Sequence, residues 1–318
     1  SHFKKKLMNQ LQQTTSNILM IRPNNFGFNE ETAVNNSFQT NNQSLNSEEV
    51  KKRAMEEFDY FVSKMRREGI NVIVIEDTNE PNKPDAVFPN NWVSFHQDGV
   101  AITYPMYSET RRNERREDVL EKLKEHFQIE EIIRLEKFEL ENRFLEGTGS
   151  MILDRVNKIC YACTSPRTEE GLLDVFCELE HYQKAAFQSV DANGNDIYHT
   201  NVMMALGENF VVIGMDTIKE ETQKKMLLDL FAKTNKVVID ISYQQILSFA
   251  GNMLQVRNEK GETYLVMSQQ AFRSLTDEQI NKIEMQTKIL YSPIETIESF
   301  GGGSARCMMA EVFLPKIN

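Results

Sequence analysis

Apolar and polar positions along this chain fall into a unit that recurs. Asn17 to Ile21 (NILMI) is a continuous apolar run that predicts a buried strand, ended by Arg22-Pro23. Residues 24–47 are rich in Asn, Gln and Ser and read as a long loop, a length that usually signals function. From Ser47, the expected cap, apolar residues recur at helical spacing to about Glu68: Val50, Ala54, Phe58, Phe61, Val62 and Met65, with Gly69 as the stop. Asn71 to Ile75 (NVIVI) predicts a second buried strand.

Four segments then read as hairpins, each with a polar turn between apolar runs: 92–104, 150–162, 202–213 and 253–267. A polar helical pattern follows each, over 108–126, 168–188, 217–234 and 268–286, and Thr276 to Gln279 matches a capping box. The hairpin starts lie 58, 52 and 51 residues apart, and Arg306 opens a final strand 53 residues beyond the last. A period near fifty marks a repeated supersecondary unit arranged radially or in a solenoid. Hairpin, helix and single strand per unit predict an α/β fold, a five-bladed pseudo-symmetric α/β propeller forming one domain over residues 1–318. Ser1 and His2 carry no fold signal and stay outside this reasoning.

Equivalent points of a radial repeat converge near one end of its axis. Just ahead of the repeat starts stand Asp85 with Asn90-Asn91, Glu146 with Gly147-Thr148-Gly149, His199-Thr200-Asn201, Gly251-Asn252, and Gly301-Gly302-Gly303-Ser304-Ala305-Arg306-Cys307. Asn91, Glu146, His199, Asn252 and Cys307 should therefore meet in one cleft. A cysteine, a histidine and a carboxylate are the parts of covalent catalysis. Cys307 would attack an electron-poor carbon, with Arg306 as a cationic neighbour favouring the thiolate. His199 would carry protons, and Glu146 would orient it or the substrate nitrogen.

Composition narrows the partners. At 318 residues, with 26% charged and 40% apolar residues, the chain can bury a sizeable core. A formal charge of −11 argues against nucleic acid, whose affinity comes from neutralising phosphates. No apolar run approaches the ~20 residues that span a bilayer, and no signal peptide opens the chain. Cys160 and Cys163 form C-x-x-C on a strand-like run without further metal ligands, so they read as packing residues on opposite faces. Reduced thiols and no export signal predict a cytoplasmic protein. Asp191 to Asp196 begins like a calcium loop but lacks the glycine and the final acid, and Asn193-Gly194 reads as a turn. Arg111 to Arg116 is a charge run at a helix start, read as a solvated face.

The motifs resemble the guanidino-group-modifying superfamily of arginine deiminases, dimethylargininases and amidinotransferases, and most resemble its citrulline-utilisation hydrolase branch. The resembling segments are Ile18 to Gln39, Asp85 to His96, Leu145 to Arg155, Tyr198 to Ala205, Phe249 to Val256 and Gly301 to Met309. The resemblance implies a pentein-type five-bladed propeller, a covalent intermediate on Cys307, His199 as acid/base, Glu146 as its partner, and neither metal nor organic cofactor. It also implies that Arg167, or Arg22, grips the amino-acid end of the substrate, an arginine fork suiting a carboxylate.

Arginine deiminases carry acidic residues where this chain has Asn91 and Asn201. Neutral amides there would weaken the grip on a cation and suit a ureido group. Asp85, Asn90, Asn91, Asn201 and Asn252 are all expected to face the substrate. The activity so implied is hydrolysis of citrulline to ornithine, ammonia and carbon dioxide. The alternatives are an amidinotransferase, an arginine deiminase or dimethylargininase, and a non-enzymatic binding scaffold on the same fold. The implied partner is a small amino acid, with no nucleic acid and no membrane, and self-association is left open.

Overall fold

A computed structural model describes residues 10–41 and 45–318, so Ser1-His2 and three residues of the 24–47 segment lie outside it. The predicted first strand is β1 (Asn17–Arg22). It leads through the helix Ser47–Arg67 to a parallel neighbour, β2 (Asn71–Glu76), in the register Asn17 to Asn71 through Arg22 to Glu76. The buried face of that helix is the predicted Val50, Ala54, Phe58, Phe61, Val62 and Met65. Its cap is Asn46 rather than Ser47: the Asn46 side chain accepts the Glu49 N–H, and Gly69 turns the chain out at φ +85°.

The pattern then repeats as expected. Strands β3 (Val93–Phe95) and β4 (Val100–Thr103) form a hairpin, and β5 (Glu131–Arg134) lies parallel to β4. The next set is β6 (Ile152–Asp154), β7 (Ile159–Cys163) and β8 (Gln183–Phe187), followed by β9 (Met204–Leu206), β10 (Phe210–Ile213) and β11 (Val237–Asp240). The fourth is β12 (Leu254–Arg257), β13 (Thr263–Ser268) and β14 (Lys288–Ser292). Last, β15 (Ala310–Glu311) returns to pair antiparallel with β1, Ile18 opposite Glu311. Among the described residues the result is five three-stranded sheets, each with a central strand, one antiparallel and one parallel neighbour. Five such sheets fit a five-fold repeat.

The predicted helical segments are partly corrected. Residues 108–126 hold two short helices, Glu109–Arg112 and Glu117–Leu123. The span 168–188 ends in β8, because the helix stops at Glu180 where His181 takes a left-handed conformation. The span 268–286 splits into Gln269–Ser274 and Asp277–Glu284, the second opened by the predicted Thr276–Gln279 capping box. Segment 24–47 contains a helical turn, Glu30–Ala33, capped by Asn29. Cys160 and Cys163 point into separate core clusters, as strand alternation requires, and all four cysteines are unpaired. No helix among the described residues is long and apolar enough to cross a membrane.

Strands β3, β6, β9 and β15 are wholly buried, whereas β5 and β11 are half exposed, so the hairpins' first strands face inward. β15 packs against β3, and β9 against both β6 and β12. The chain enters these inner strands through short helical turns at Pro89–Asn91, Gly147–Ser150, Thr200–Val202 and Ala305–Met308. The turn at 147–150 packs on those at 89–91 and 200–202, and 89–91 packs on 305–308. That contact brings residues separated by more than two hundred positions to one place.

Candidate active site

Glu146 and His199 each immediately precede one of these turns, and Cys307 lies within the last. A small enclosed cavity at their junction is lined by Cys307, His199, Asp85, Asn91, Arg111, Arg167 and Tyr198, and by Thr32 and Asn36 from the 24–47 segment. Only about 10 Å³ of it is open to water centres, room for roughly one water. The sulfur and the imidazole therefore share one cavity, as the repeat predicts.

His199 Nε2 lies 2.7 Å from Glu146 Oε1. The other carboxylate oxygen of Glu146 accepts the Tyr107 backbone N–H at 2.9 Å, and Arg167 Nη1 stands 3.8 Å from Oε1. Burial alone would raise Glu146, but the His199 hydrogen bond and the charges of Arg167 and Arg111 outweigh it and hold the carboxyl down at about 2. Burial, reinforced by the same two arginines, outweighs Glu146 at the imidazole and lowers His199 to about 4. The pair is thus a carboxylate accepting Nε2–H from a neutral imidazole, which leaves Nδ1 with a free lone pair. Gly149 makes room for that ring: a Cβ there would lie 2.9 Å from Nδ1.

Both shifts act on stability in the same direction. The unfolded chain protonates His199 near 6.5 and the folded one only near 4, so its contribution is lost as pH falls through that interval. The Glu146 contribution is present above about 4.5 and is lost as pH falls toward 2. The raised carboxyls of Glu114, Glu180 and Glu298 act in the opposite direction, so the His199 share is read as the melting-temperature difference between the parent and His199→Asn, which is expected to shrink as pH falls from 6.5 to 4. A difference that stays flat over that range would contradict a neutral His199 beside an ionised Glu146.

Arg167 is brought to the site as expected. Its guanidinium donates to Asn35 Oδ1 at 2.7 Å and Thr32 O at 2.8 Å, and it stacks over Tyr198 at 4.6 Å. Thr32, Asn35 and Asn36 therefore form one wall of the cavity. Gly302, at φ +72°, lets its carbonyl accept from both Tyr198 OH and Asn36 Nδ2. Asp85 faces the cavity with Oδ2 accepting from Asn29 and Oδ1 buried without a partner within the protein. Burial pushes its carboxyl up, against the pull of Arg111.

Of the other expected residues, Asn91 lines the cavity and the rest lie elsewhere. Asn90 is behind the wall, its Oδ1 accepting from Asn91 Nδ2 at 2.6 Å, and Asn91 Oδ1 accepts from Arg111 Nη1 at 2.5 Å. Asn201 and Asn252 are behind the sulfur, not on the cavity: their Nδ2 atoms lie 3.3 and 3.4 Å from Cys307 Sγ. Arg22 is not at the site. Its fork holds Asp59 at 2.8 and 2.9 Å beside a separate surface groove, because the side chain of that last strand residue turns toward helix Ser47–Arg67. Arg306 also turns away, its guanidinium engaging Glu311 at 2.6 Å and Met309 O at 2.8 Å.

Arg111, read from sequence as part of a solvated run, is 2% exposed and lines the cavity. Glu114 accepts from it twice at 2.9 Å, and Phe88 O once at 3.2 Å. The signal that could have found it is the repeat: Arg111 stands 19 residues after its hairpin start and Arg167 stands 17 after the next. Among the described residues no cluster of His, Cys, Asp and Glu is placed to hold a metal ion.

No curated protein sequence matches the chain. Solved structures match its fold over nearly its whole length. The N-terminal domain of ArgZ, carrying a covalent reaction intermediate, is 16% identical with a TM-score of 0.72, covering 94% of this chain and 98% of that one. ArgZ is described as an arginine dihydrolase of the cyanobacterial ornithine-ammonia cycle, and of its full-length chain only 41% is covered, at a TM-score of 0.74 and 16% identity over 95% of this chain. A histidine-to-glycine variant of dimethylarginine dimethylaminohydrolase, as an adduct with S-methyl-L-thiocitrulline, is 14% identical with a TM-score of 0.64, covering 94% of this chain and 100% of that one. At these identities structural likeness carries the fold alone. A family profile goes further, because it matches residues 22–314 to the description "N,N dimethylarginine dimethylhydrolase, eukaryotic". By that match the chain belongs to the dimethylarginine dimethylhydrolase family, within the guanidino-group-modifying superfamily.

Proposed function

We propose that the chain is a cysteine hydrolase that cleaves a C–N bond of a ureido or guanidino amino acid, with citrulline as preferred substrate. The observation that carries the reading is the one cavity shared by Cys307 and a His199 whose tautomer is fixed by Glu146. Cys307 Sγ attacks the ureido carbon, and the bond to the terminal nitrogen breaks. Sulfur attacks as the thiolate, and the departing ammonia takes a proton from solvent relayed through Nδ1 of His199. His199 then takes a proton from water, the hydroxide adds to the thiocarbamate carbon, and the C–S bond breaks. The carbamate of ornithine so formed collapses to ornithine and carbon dioxide. Arg167 and Arg111 are positioned to meet the substrate's carboxylate or its ureido oxygen, both of which accept from a guanidinium.

The preference for a ureido group is supported by the scarcity of free anions in the cavity. A bound guanidinium needs carboxylates, but Glu146 is committed to His199 and only Asp85 has an oxygen to spare. Position 91 offers an amide already held by Arg111 and Asn90. Exchanging a carboxylate for an amide in a closed pocket should cost a cation ~2–5 kcal/mol, and a neutral head loses nothing comparable. The amides at 91 and 201 do not themselves meet the ureido oxygen, because their donors are taken.

A guanidino substrate is the second reading, favoured by the family match and by the unpartnered Asp85 oxygen. Steady-state assays on citrulline, arginine and methylated arginines separate the two. The expected result is release of ornithine and ammonia with kcat/KM highest for citrulline; faster turnover of arginine would reject the ureido preference.

The same reading treats residues 1–318 as one catalytic domain whose five sheets close into a five-bladed α/β propeller, with 24–47 as an active-site loop. It is supported by the pairing of β15 with β1, which puts the first and last strands of the described residues in one sheet. A cytoplasmic setting, supported by four unpaired thiols, belongs to it as well.

A further inference from the structure

The Arg306 guanidinium, next to Cys307 in sequence, feels the charge of the sulfur but spends its hydrogen bonds elsewhere. Arg306 is turned to the far side and paired with Glu311, and His199 spends its Nε2–H on Glu146. What touches Sγ instead is a pair of side-chain amides from two different repeats, Asn201 Nδ2 at 3.3 Å and Asn252 Nδ2 at 3.4 Å. The Asn252 amide cannot turn round. Its Oδ1 accepts the Arg306 backbone N–H at 3.1 Å, and its Nδ2 also donates to Asn201 O at 2.8 Å, so an N–H must face the sulfur. Arg306 N–H belongs to the turn that carries Cys307, so donor and nucleophile are fixed to each other by the backbone.

We infer that Asn201 and Asn252 form a two-donor cradle that holds the Cys307 sulfur as an anion, and that they act on the nucleophile rather than on the substrate. The argument rests on charge. Hydrogen bonds to an ionised acceptor are roughly twice as strong as neutral ones. Two fixed amides therefore favour the thiolate over the thiol in a cavity closed to bulk water, and no group need rotate to receive the charge. Released protons go to solvent, because burial keeps the imidazole neutral until acid pH. The titratable and charged groups facing this end of the cavity are His199, Tyr198, Asp85, Arg111 and Arg167, with Arg306 on the opposite side of the sulfur's turn. Neutral amides serve here where a carboxylate at position 201 would repel the sulfur. The departure from acidic residues at that position thus has a role besides substrate charge.

The test needs no substrate, so it stands or falls independently of the proposed reaction. Asn201→Leu and the isosteric Asn201→Asp keep the size of the fully buried side chain while changing its polarity, and circular dichroism and melting temperature establish that each variant folds. The readouts are the rate of Cys307 alkylation by iodoacetamide across pH and the ultraviolet absorbance of the thiolate, each against Cys307→Ser as the blank. Asn201→Leu is expected to slow alkylation at neutral pH about tenfold, and Asn201→Asp more, with matching loss of thiolate absorbance and recovery at higher pH. In folded variants, unchanged alkylation and absorbance would overturn the cradle. Where turnover is measurable, loss of the Asn201 donor is expected to lower kcat with little change in KM; a rise in KM alone would assign Asn201 to the substrate and also overturn the cradle.

Discussion

Cys307→Ser is expected to lower turnover by about 10⁴-fold or more while leaving the protein folded. The sulfur lies at the one point where the 305–308 turn, the His199 turn and the wall of the 24–47 segment meet, and it is held by two amide donors that suit an anion. Serine keeps the shape but ionises far less readily, so the attacking species disappears while binding and positioning survive. The side chain is buried and touches ordinary packing partners, so stability should change by only ~1 kcal/mol. Turnover assays with a melting curve decide the matter, and residual activity within tenfold of the parent would remove Cys307 from the chemistry.

Glu146→Gln carries the second large effect. The carboxylate, held at about 2 by His199 and the arginines, accepts Nε2–H and thereby leaves Nδ1 as the free base. A glutamine can present its NH₂ to Nε2, which forces the imidazole proton onto Nδ1 and removes the lone pair the reaction needs. Loss of the correct tautomer and of general acid–base help is expected to reduce kcat by ~10²–10⁴-fold. Arg167, 3.8 Å away, also loses part of its counter-charge. Because the sulfur's donors are Asn201 and Asn252, Cys307 alkylation should stay within a few-fold of the parent. A glutamine variant that retains activity within threefold would show that Glu146 only packs.

Much of the scaffold is legible in the chain because it depends on periodicity. The face of helix Ser47–Arg67, the four hairpins and the capping box at Thr276 all follow from spacing alone. Spacing also brings Glu146, His199 and Cys307 together, since each sits at the same point of the repeat. What spacing could not locate were the outer strands β5, β8, β11 and β14, which are short and partly exposed, and of these β8 is absorbed into the helical span before it.

The site's polar wiring was harder to read for a different reason: a side chain's direction is set by its tertiary partners. Arg111 is drawn inward by Glu114 and Asn91 although it stands in a run of charges, and Arg22 is drawn outward by Asp59 although it follows a buried strand. Arg306 sits next to the nucleophile in sequence and faces the other way in space. Asn201 and Asn252 are expected to face the substrate, and in the structure their amides lie against the Cys307 sulfur. Residue type predicted their polarity, and only coordinates show that they point at sulfur.

The most direct test is to quench the protein in acid during turnover of citrulline or arginine and to map any added mass by peptide mass spectrometry. A substrate-derived adduct on Cys307, absent from the Cys307→Ser variant and decaying as ornithine appears, is the predicted result. Product formation with the adduct on Cys160, Cys163 or Cys177, or turnover that persists without Cys307, would contradict the account.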